Sequence, residues 1–222
     1  MKFAALFLLS LASFQCEAQS YGSFIGDVIA KWNADGRTMT LTAPFAYKDP
    51  TGYMWEAPTG SMVDGASIPK VAWSVIGGPF EGKYRDSSVI HDVGCKTKKQ
   101  PWELVHKAFY TGMLASGVDA TKAKTMYAAV YHFGPRWAEK RVIRQITSQT
   151  TETRQCVKMP IGDPICFVLP PTPQVVERVM RIEIPPSPPT LGQDAFDRLK
   201  LQIESRETSL SPMSLEDIQE FK

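Results

Sequence analysis

Histidine is scarce in this chain. Three occur in 222 residues, at positions 91, 106 and 132. None stands in an H-x3-H or H-E-x-x-H pairing, which excludes the helix-borne zinc protease motif. No block of five or six basic residues is present, and 25 Lys+Arg against 23 Asp+Glu leave a formal charge of +2. A nucleic-acid binder held by bulk electrostatics is therefore excluded. Beyond the first turn of sequence no run of 18 apolar residues exists, so the mature chain has no membrane-spanning candidate. There is no internal repeat.

What is present is a globular composition, 43% hydrophobic and 22% charged, with enough chain for one sizeable core. Residues 1–18 read as a secretory signal peptide. Lys2 supplies the positive end, residues 3–14 are apolar apart from Ser10 and Ser13, and Cys16-Glu17-Ala18 offers a cleavage site. Export to a periplasm or the medium is expected. Acylation of Cys16 as a lipoprotein is the weaker reading, because Phe14 and Gln15 are bulky where small residues are wanted.

Export recasts the remaining cysteines, Cys95, Cys156 and Cys166. Three pairings are formally open. Cys156 and Cys166 flank a segment with Pro160, Gly162 and Pro164 near its middle, which fits a hairpin closed by a disulfide. Cys95 is then left over.

Residues 21–70 have the alternation of strands. Asp35-Gly36 marks a hairpin turn between Lys31-Trp32 and Thr38-Met39-Thr40-Leu41-Thr42. Asp49-Pro50-Thr51-Gly52 separates Phe45-Ala46-Tyr47 from Tyr53-Met54-Trp55-Glu56 in the same way. Residues 86–145 carry helical spacing. Asp86 or Ser87 caps a first helix; Pro101 opens a second, with Trp102, Val105, Phe109 and Met113 on one stripe, and Gly117 ends it. Asp119 caps a third, whose spacing runs through Ala123, Met126, Tyr127 and Val130 to Trp137, with Gly134-Pro135 as an end or kink.

The seventeen prolines concentrate after residue 159. They predict a semi-rigid extended linker beyond residue 170. Residues 195–204 form a short amphipathic helix with Phe196, Leu199 and Ile203 on one face, and residues 205–222 read as a polar, mobile end. The expected organisation is a signal peptide (1–18), a core domain (19–145), a disulfide-closed hairpin (146–169), and a Pro-rich linker with a short terminal helix (170–222). The expected fold class is α+β: N-terminal antiparallel strands packed on a three-helix core, then a Pro-rich tail.

The chemistry-bearing candidate is His91-Asp92, within Val89-Ile90-His91-Asp92-Val93-Gly94-Cys95. An imidazole titrates near neutrality and takes a proton from water. The adjoining carboxylate suits a hard cation such as Ca2+. A core histidine beside a solvated aspartate is the plain alternative. Upstream, Gly77, Gly78 and Gly82 free a loop to present backbone carbonyls to an ion. Asp64, in Val63-Asp64-Gly65-Ala66-Ser67-Ile68-Pro69, is a turn-former or a further acid at the site. His106 on the second helix is placed to face His91. Three histidines with Asp92 or Asp64 offer a less favoured zinc set. Cys95 stands one helical turn after His91, which permits a Cys–His pair, although packing suits a buried cysteine as well.

Taken in order, Val63-Asp64-Gly65-Ala66-Ser67-Ile68-Pro69, Trp73, Ile76-Gly77-Gly78-Pro79, His91-Asp92, Ala128-Ala129-Val130 and Phe133-Gly134 resemble the family known as domain of unknown function 1353. It is found largely in phages, prophages and bacteria, and the resemblance covers roughly residues 38–137. It implies no established activity. The helical part also resembles, more faintly, the core of prokaryotic and fungal secreted phospholipases A2. That resemblance implies His91 as general base for water attack on an ester, Asp92 as a calcium ligand, and loop carbonyls at Gly77, Gly78 and Gly82 completing the ion site. The second-helix aspartate of that family falls here on His106, and the phospholipase cysteine framework is absent.

The expected function is therefore a Ca2+-dependent lipid or ester hydrolase acting on envelope phospholipid, with His91, His106 and Asp64 at its centre. The alternative is a non-enzymatic envelope or virion accessory protein that keeps the helical scaffold and meets a protein partner through its Pro-rich tail. No nucleic-acid partner is expected.

Overall fold

The computed structural model describes residues 20–65, 82–146, 153–169, 174–183 and 191–222. The signal peptide expected at residues 1–18, the loop bearing Gly77 and Gly78, and the prolines at 170–173 and 185–189 lie outside them.

The N-terminal half is built from two small antiparallel sheets. β1 (Ser23–Ile25), β4 (Phe45–Lys48) and β5 (Met54–Ala57) form one, in the order β1-β4-β5. β2 (Ala30–Trp32), β3 (Met39–Leu41) and β6 (Met62–Val63) form the other, in the order β2-β3-β6. Both hairpins turn where aspartate-glycine chemistry places them. Asp35 Oδ1 accepts from the backbone of Arg37 and Thr38, at 2.9 Å each, and Gly36 takes the left-handed backbone the turn requires, φ +66°. That turn pairs Lys31 with Thr40 and Trp32 with Met39. Asp49 Oδ1 accepts from Thr51 and Tyr53 backbone amides, and its Oδ2 accepts from Trp55 Nε1 at 2.9 Å. Those bonds hold the Asp49 carboxyl below its usual range despite partial burial.

A 3-10 turn, Gly82–Tyr84, leads into α1 (Arg85–Thr97). The cap is Tyr84, ahead of the expected Asp86 or Ser87. Ser87 and Ser88 instead donate their hydroxyls to the Tyr84 carbonyl, at 3.0 and 2.9 Å. α2 (Trp102–Ala115) follows Pro101, and Gly117 ends it with φ +72°. Gly117 N–H bonds to Leu114 O and Val118 N–H to Met113 O, the paired bonds of a Schellman stop. α3 (Ala120–Phe133) is capped by Asp119, whose side chain accepts from Lys122 N.

The third helix stops at Phe133, short of the spacing read through Trp137. Pro135 cannot continue it, and Arg136 donates to the Tyr131 and His132 carbonyls at the helix end. Trp137 opens β7 (Trp137–Ile146), which pairs antiparallel with β10 (Gln174–Glu183) over ten residues. Residues 174–183 are thus a strand rather than the linker predicted from the flanking prolines. The stretch itself holds no proline and four β-branched residues. Nested between them in sequence, β8 (Thr153–Val157) pairs with β9 (Ile165–Leu169), with Cys156 opposite Cys166 and the two joined by a disulfide. The pairing read from the spacing is the one observed.

α4 (Gln193–Glu207) buries Phe196, Leu199 and Ile203, as its amphipathic spacing predicts. The last segment is not the mobile end expected from its polarity. α5 (Leu215–Glu220) is closed by a reciprocal capping box between Ser214 and Asp217. It docks on α3: Ile218 is buried, and Gln219 Nε2 donates to the Tyr127 hydroxyl at 2.7 Å.

Two buried clusters result among the described residues. One joins the sheets to α1, through Leu41, Phe45, Tyr47, Trp55, Val63, Val89, Ile90 and Val93. The other wraps α3 with α2, α4 and α5. Tyr127, Ala128, Ala129 and Val130 are all fully buried, so α3 is covered on every side at that level. The architecture is α+β, with antiparallel strands in the N-terminal half. No described helix is long and apolar enough to cross a membrane.

Candidate functional site

α1 and α2 form a close pair, and the candidate site lies between them. His91, from the middle of α1, and His106, from the first half of α2, have their rings 5.0 Å apart and nearly parallel. His91 Nε2 and His106 Nδ1 are 2.8 Å apart, a hydrogen bond with one shared proton. Phe109, 4.9 Å from the His91 ring, and Trp102, 5.4 Å from that of His106, wall the pair with aromatic surface. Both histidines are fully buried.

Desolvation, then the neighbouring His91 and Arg136, hold His106 well below the ordinary imidazole range, so its ring is neutral at pH 7. Its Nε2 makes no hydrogen bond of full geometry. The backbone of Pro135 opposes that depression. A proton on Nε2 leaves the lone pair on Nδ1. His91 then donates from Nε2 and keeps its own lone pair on Nδ1. Cys95 closes the cluster from the next turn of α1, with Sγ 3.6 Å from His91 Nε2 and 3.8 Å from Nδ1.

Asp92 points elsewhere. Its Oδ2 accepts from the backbone amides of Asp64 and Gly65, at 2.9 and 2.8 Å. The carboxylate fastens the end of β6 onto α1, and Gly65 there adopts φ +94°. The residues read together from sequence are therefore brought together unevenly. His91 and His106 meet directly. Asp64 joins through its main chain, by way of Asp92. His132 is turned to the other side of α3, where Nε2 bonds the Ile218 carbonyl at 2.8 Å. Gly82 makes the left-handed turn before α1 with φ +76°. The participant underweighted in the sequence is Cys95. Its signal was the four-residue spacing from His91, which places both on one helical face.

The donors gathered here are two imidazole nitrogens and a sulfur. They do not fit Ca2+, which takes six to eight oxygen ligands. Asp92 Oδ2 receives two amides, and the loop expected to complete a calcium site through Gly77 and Gly78 lies outside the described residues. A cavity of about 630 Å3 lies on the other side of α2, lined by Tyr53, Trp55, Leu104, Lys107, Tyr110 and Thr111. It does not include His91, His106 or Cys95.

The segment that carries this helix pair and the β6 loop is also the segment with known relatives. Residues 39–130 match the family described as "Protein of unknown function (DUF1353)". The match falls inside the stretch whose motifs resemble that family, and it ends at Val130, before the β-ribbon begins. Within this DUF1353 segment lie all the residues of the cluster. Over 173 residues the chain is 41% identical to "Uncharacterized protein y4jT" of Sinorhizobium fredii (strain NBRC 101917 / NGR234), covering 76% of this chain and 49% of that protein. It is 42% identical over 103 residues to "Uncharacterized protein y4iH" of the same strain, covering 46% of this chain and 43% of that one. The chain thus spans about half the length of the curated relatives it matches. No solved structure matches it.

Proposed function

We propose that this DUF1353 protein is an exported hydrolase of ester bonds in envelope phospholipid, with its chemistry centred on His91. The observation that supports this reading is the 2.8 Å contact between His91 Nε2 and His106 Nδ1. A second-helix partner holds one nitrogen of the α1 histidine and so orients its ring, the role that a phospholipase-like helix pair gives to the residue at this place. His106 stands where that layout has a carboxylate. A neutral ring orients His91 but does not stabilise its protonated form as an acid anion would, so a weak base and slow turnover are expected. Calcium would be held by Asp92 and by backbone carbonyls of the loop at Gly77, Gly78 and Gly82. The test is ester release from phosphatidylglycerol–phosphatidylethanolamine vesicles by the full chain. Loss of release in His91→Ala supports the reading, and equal release by wild type and variant overturns it.

The complete burial of His91 and His106 favours a second reading, a non-enzymatic envelope accessory protein in which the pair is packing. Under it the wild-type chain releases no ester above buffer, and His91→Phe keeps the fold and any partner bound from envelope extracts.

A further inference from the structure

We propose that His91, Cys95 and His106 bind a transition metal ion of the zinc class. His91 and Cys95 lie four residues apart on α1 and project from one face, and His106 meets them from α2. All three are buried, and their ligand atoms lie within 4.8 Å of one another.

The distances suit that ion. Zinc bonds of about 2.0–2.1 Å to nitrogen and about 2.3 Å to sulfur, at a tetrahedral angle, put sulfur about 3.6 Å from a nitrogen and the two nitrogens about 3.3 Å apart. Cys95 Sγ is 3.6 Å from His91 Nε2. The two imidazole nitrogens are 2.8 Å apart, so the rings must part by about half an ångström as the metal replaces their shared proton. Two imidazoles and a thiolate select a borderline-soft ion and disfavour Ca2+ or Mg2+. Metal-ligating histidines use their other ring nitrogen toward a second-shell group, and His106 Nε2 is buried with no hydrogen-bond partner among the described residues, so its proton is left for that use. Gly134 lies against this ring, where a Cβ would stand 3.3 Å from His106 Cε1.

This set differs from the one anticipated in the sequence, in which His132 and an aspartate completed the site. His132 is held by Ile218, and sulfur takes the third place. Three protein donors leave a fourth position for water. The site itself does not depend on the hydrolase reading; only the use of that water does. With the metal seated, His91 would be a ligand rather than a base, and the ion would supply the nucleophile by lowering the pKa of the water it holds, whose proton leaves to solvent.

The experiment uses the full chain with its disulfide intact, stripped with EDTA and titrated with Co2+ and then Zn2+. One equivalent of Co2+ should bind, with a near-ultraviolet thiolate-to-cobalt band and intense visible bands of tetrahedral geometry, and Zn2+ should displace it. Cys95→Ala should lose the near-ultraviolet band and weaken binding at least tenfold, while His132→Gln should bind as wild type does. Absence of the band in wild type, or its persistence in Cys95→Ala, overturns the proposal. Should His91→Ala or His106→Ala fail to fold, the Cys95→Ala comparison decides alone. Ester release by the same samples is scored separately. Stoichiometric metal without release sinks the hydrolase reading and leaves the site standing, whereas release without metal binding does the reverse.

Discussion

Gly94 of α1 faces Val105 of α2 so closely that a methyl group on Gly94 would stand 2.7 Å from Val105 Cγ1. That contact is what lets the helices approach until His91 and His106 share a proton. Glycine inside a helix is ordinarily unfavourable by roughly 1 kcal/mol. Here the missing side chain is the condition for the site. Gly94→Ala should therefore destabilise the chain by about 1–3 kcal/mol through overpacking, despite its better helix propensity. Urea denaturation measures this. Adding Val105→Ala should recover a large part of the loss in Gly94→Ala; a double variant no better than the sum of its parts would refute the close-contact account.

Asp92 holds the end of β6 through two backbone amides. Removing the carboxylate leaves two N–H groups without their acceptor at a site where Gly65 is buried. Asp92→Ala should lower stability by about 2–4 kcal/mol, and Asp92→Asn by less, because an amide oxygen still accepts. Hydrogen exchange at Asp64 and Gly65 should quicken in Asp92→Ala well beyond the global change.

The pH dependence of stability has a definite sign. Burial first, with Arg136 adding to it and the bond to Ile218 opposing, holds His132 below the ordinary imidazole value of 6.5. The unfolded chain therefore takes up protons before the folded one. Stability should be level above about pH 7.5 and fall as pH drops below 6.5, by at most about 1.4 kcal/mol per pH unit for each such histidine. His106, depressed by burial, adds to the same fall. His132→Gln keeps a donor toward Ile218 O and should flatten the slope by His132's share. An unchanged slope between pH 7 and 5 would remove this histidine from the account.

The Cys156–Cys166 hairpin is exposed along residues 154–168. A cross-link stabilises the cooperative unit that contains it, and this hairpin contributes little to either buried cluster. Reduction, or Cys156→Ser with Cys166→Ser, should leave the main unfolding transition within about 0.5 kcal/mol. Proteolysis between residues 158 and 164 should accelerate several-fold. A large drop in the main transition would show that the hairpin belongs to the core.

Ile218 anchors α5 on α3 and is fully buried. Ile218→Ala should cost about 2–4 kcal/mol. Tyr127 should titrate more easily in that variant, because burial above all now holds its hydroxyl well above the ordinary phenol range; the expected direction is downward, followed by ultraviolet absorbance.

Local chemistry alone was enough for much of this protein. The turns at Asp35-Gly36 and Asp49-Gly52, the Gly117 stop, the Asp119 cap and the Cys156–Cys166 pairing each depend on a few neighbouring residues, so their positions could be read directly. His91 and His106 could be read as partners because a short connection between two helices makes them antiparallel neighbours. What needed tertiary structure was every choice between competing local patterns. Residues 174–183 become a strand because β7 is there to pair with them, and α5 is held by α3 despite its polar surface. Asp92 turns to the amides of Asp64 and Gly65 rather than toward His91, because adjacent helical residues diverge by about 100°. Cys95 joins the two histidines because Gly94 lets α2 come close enough to supply the second ring.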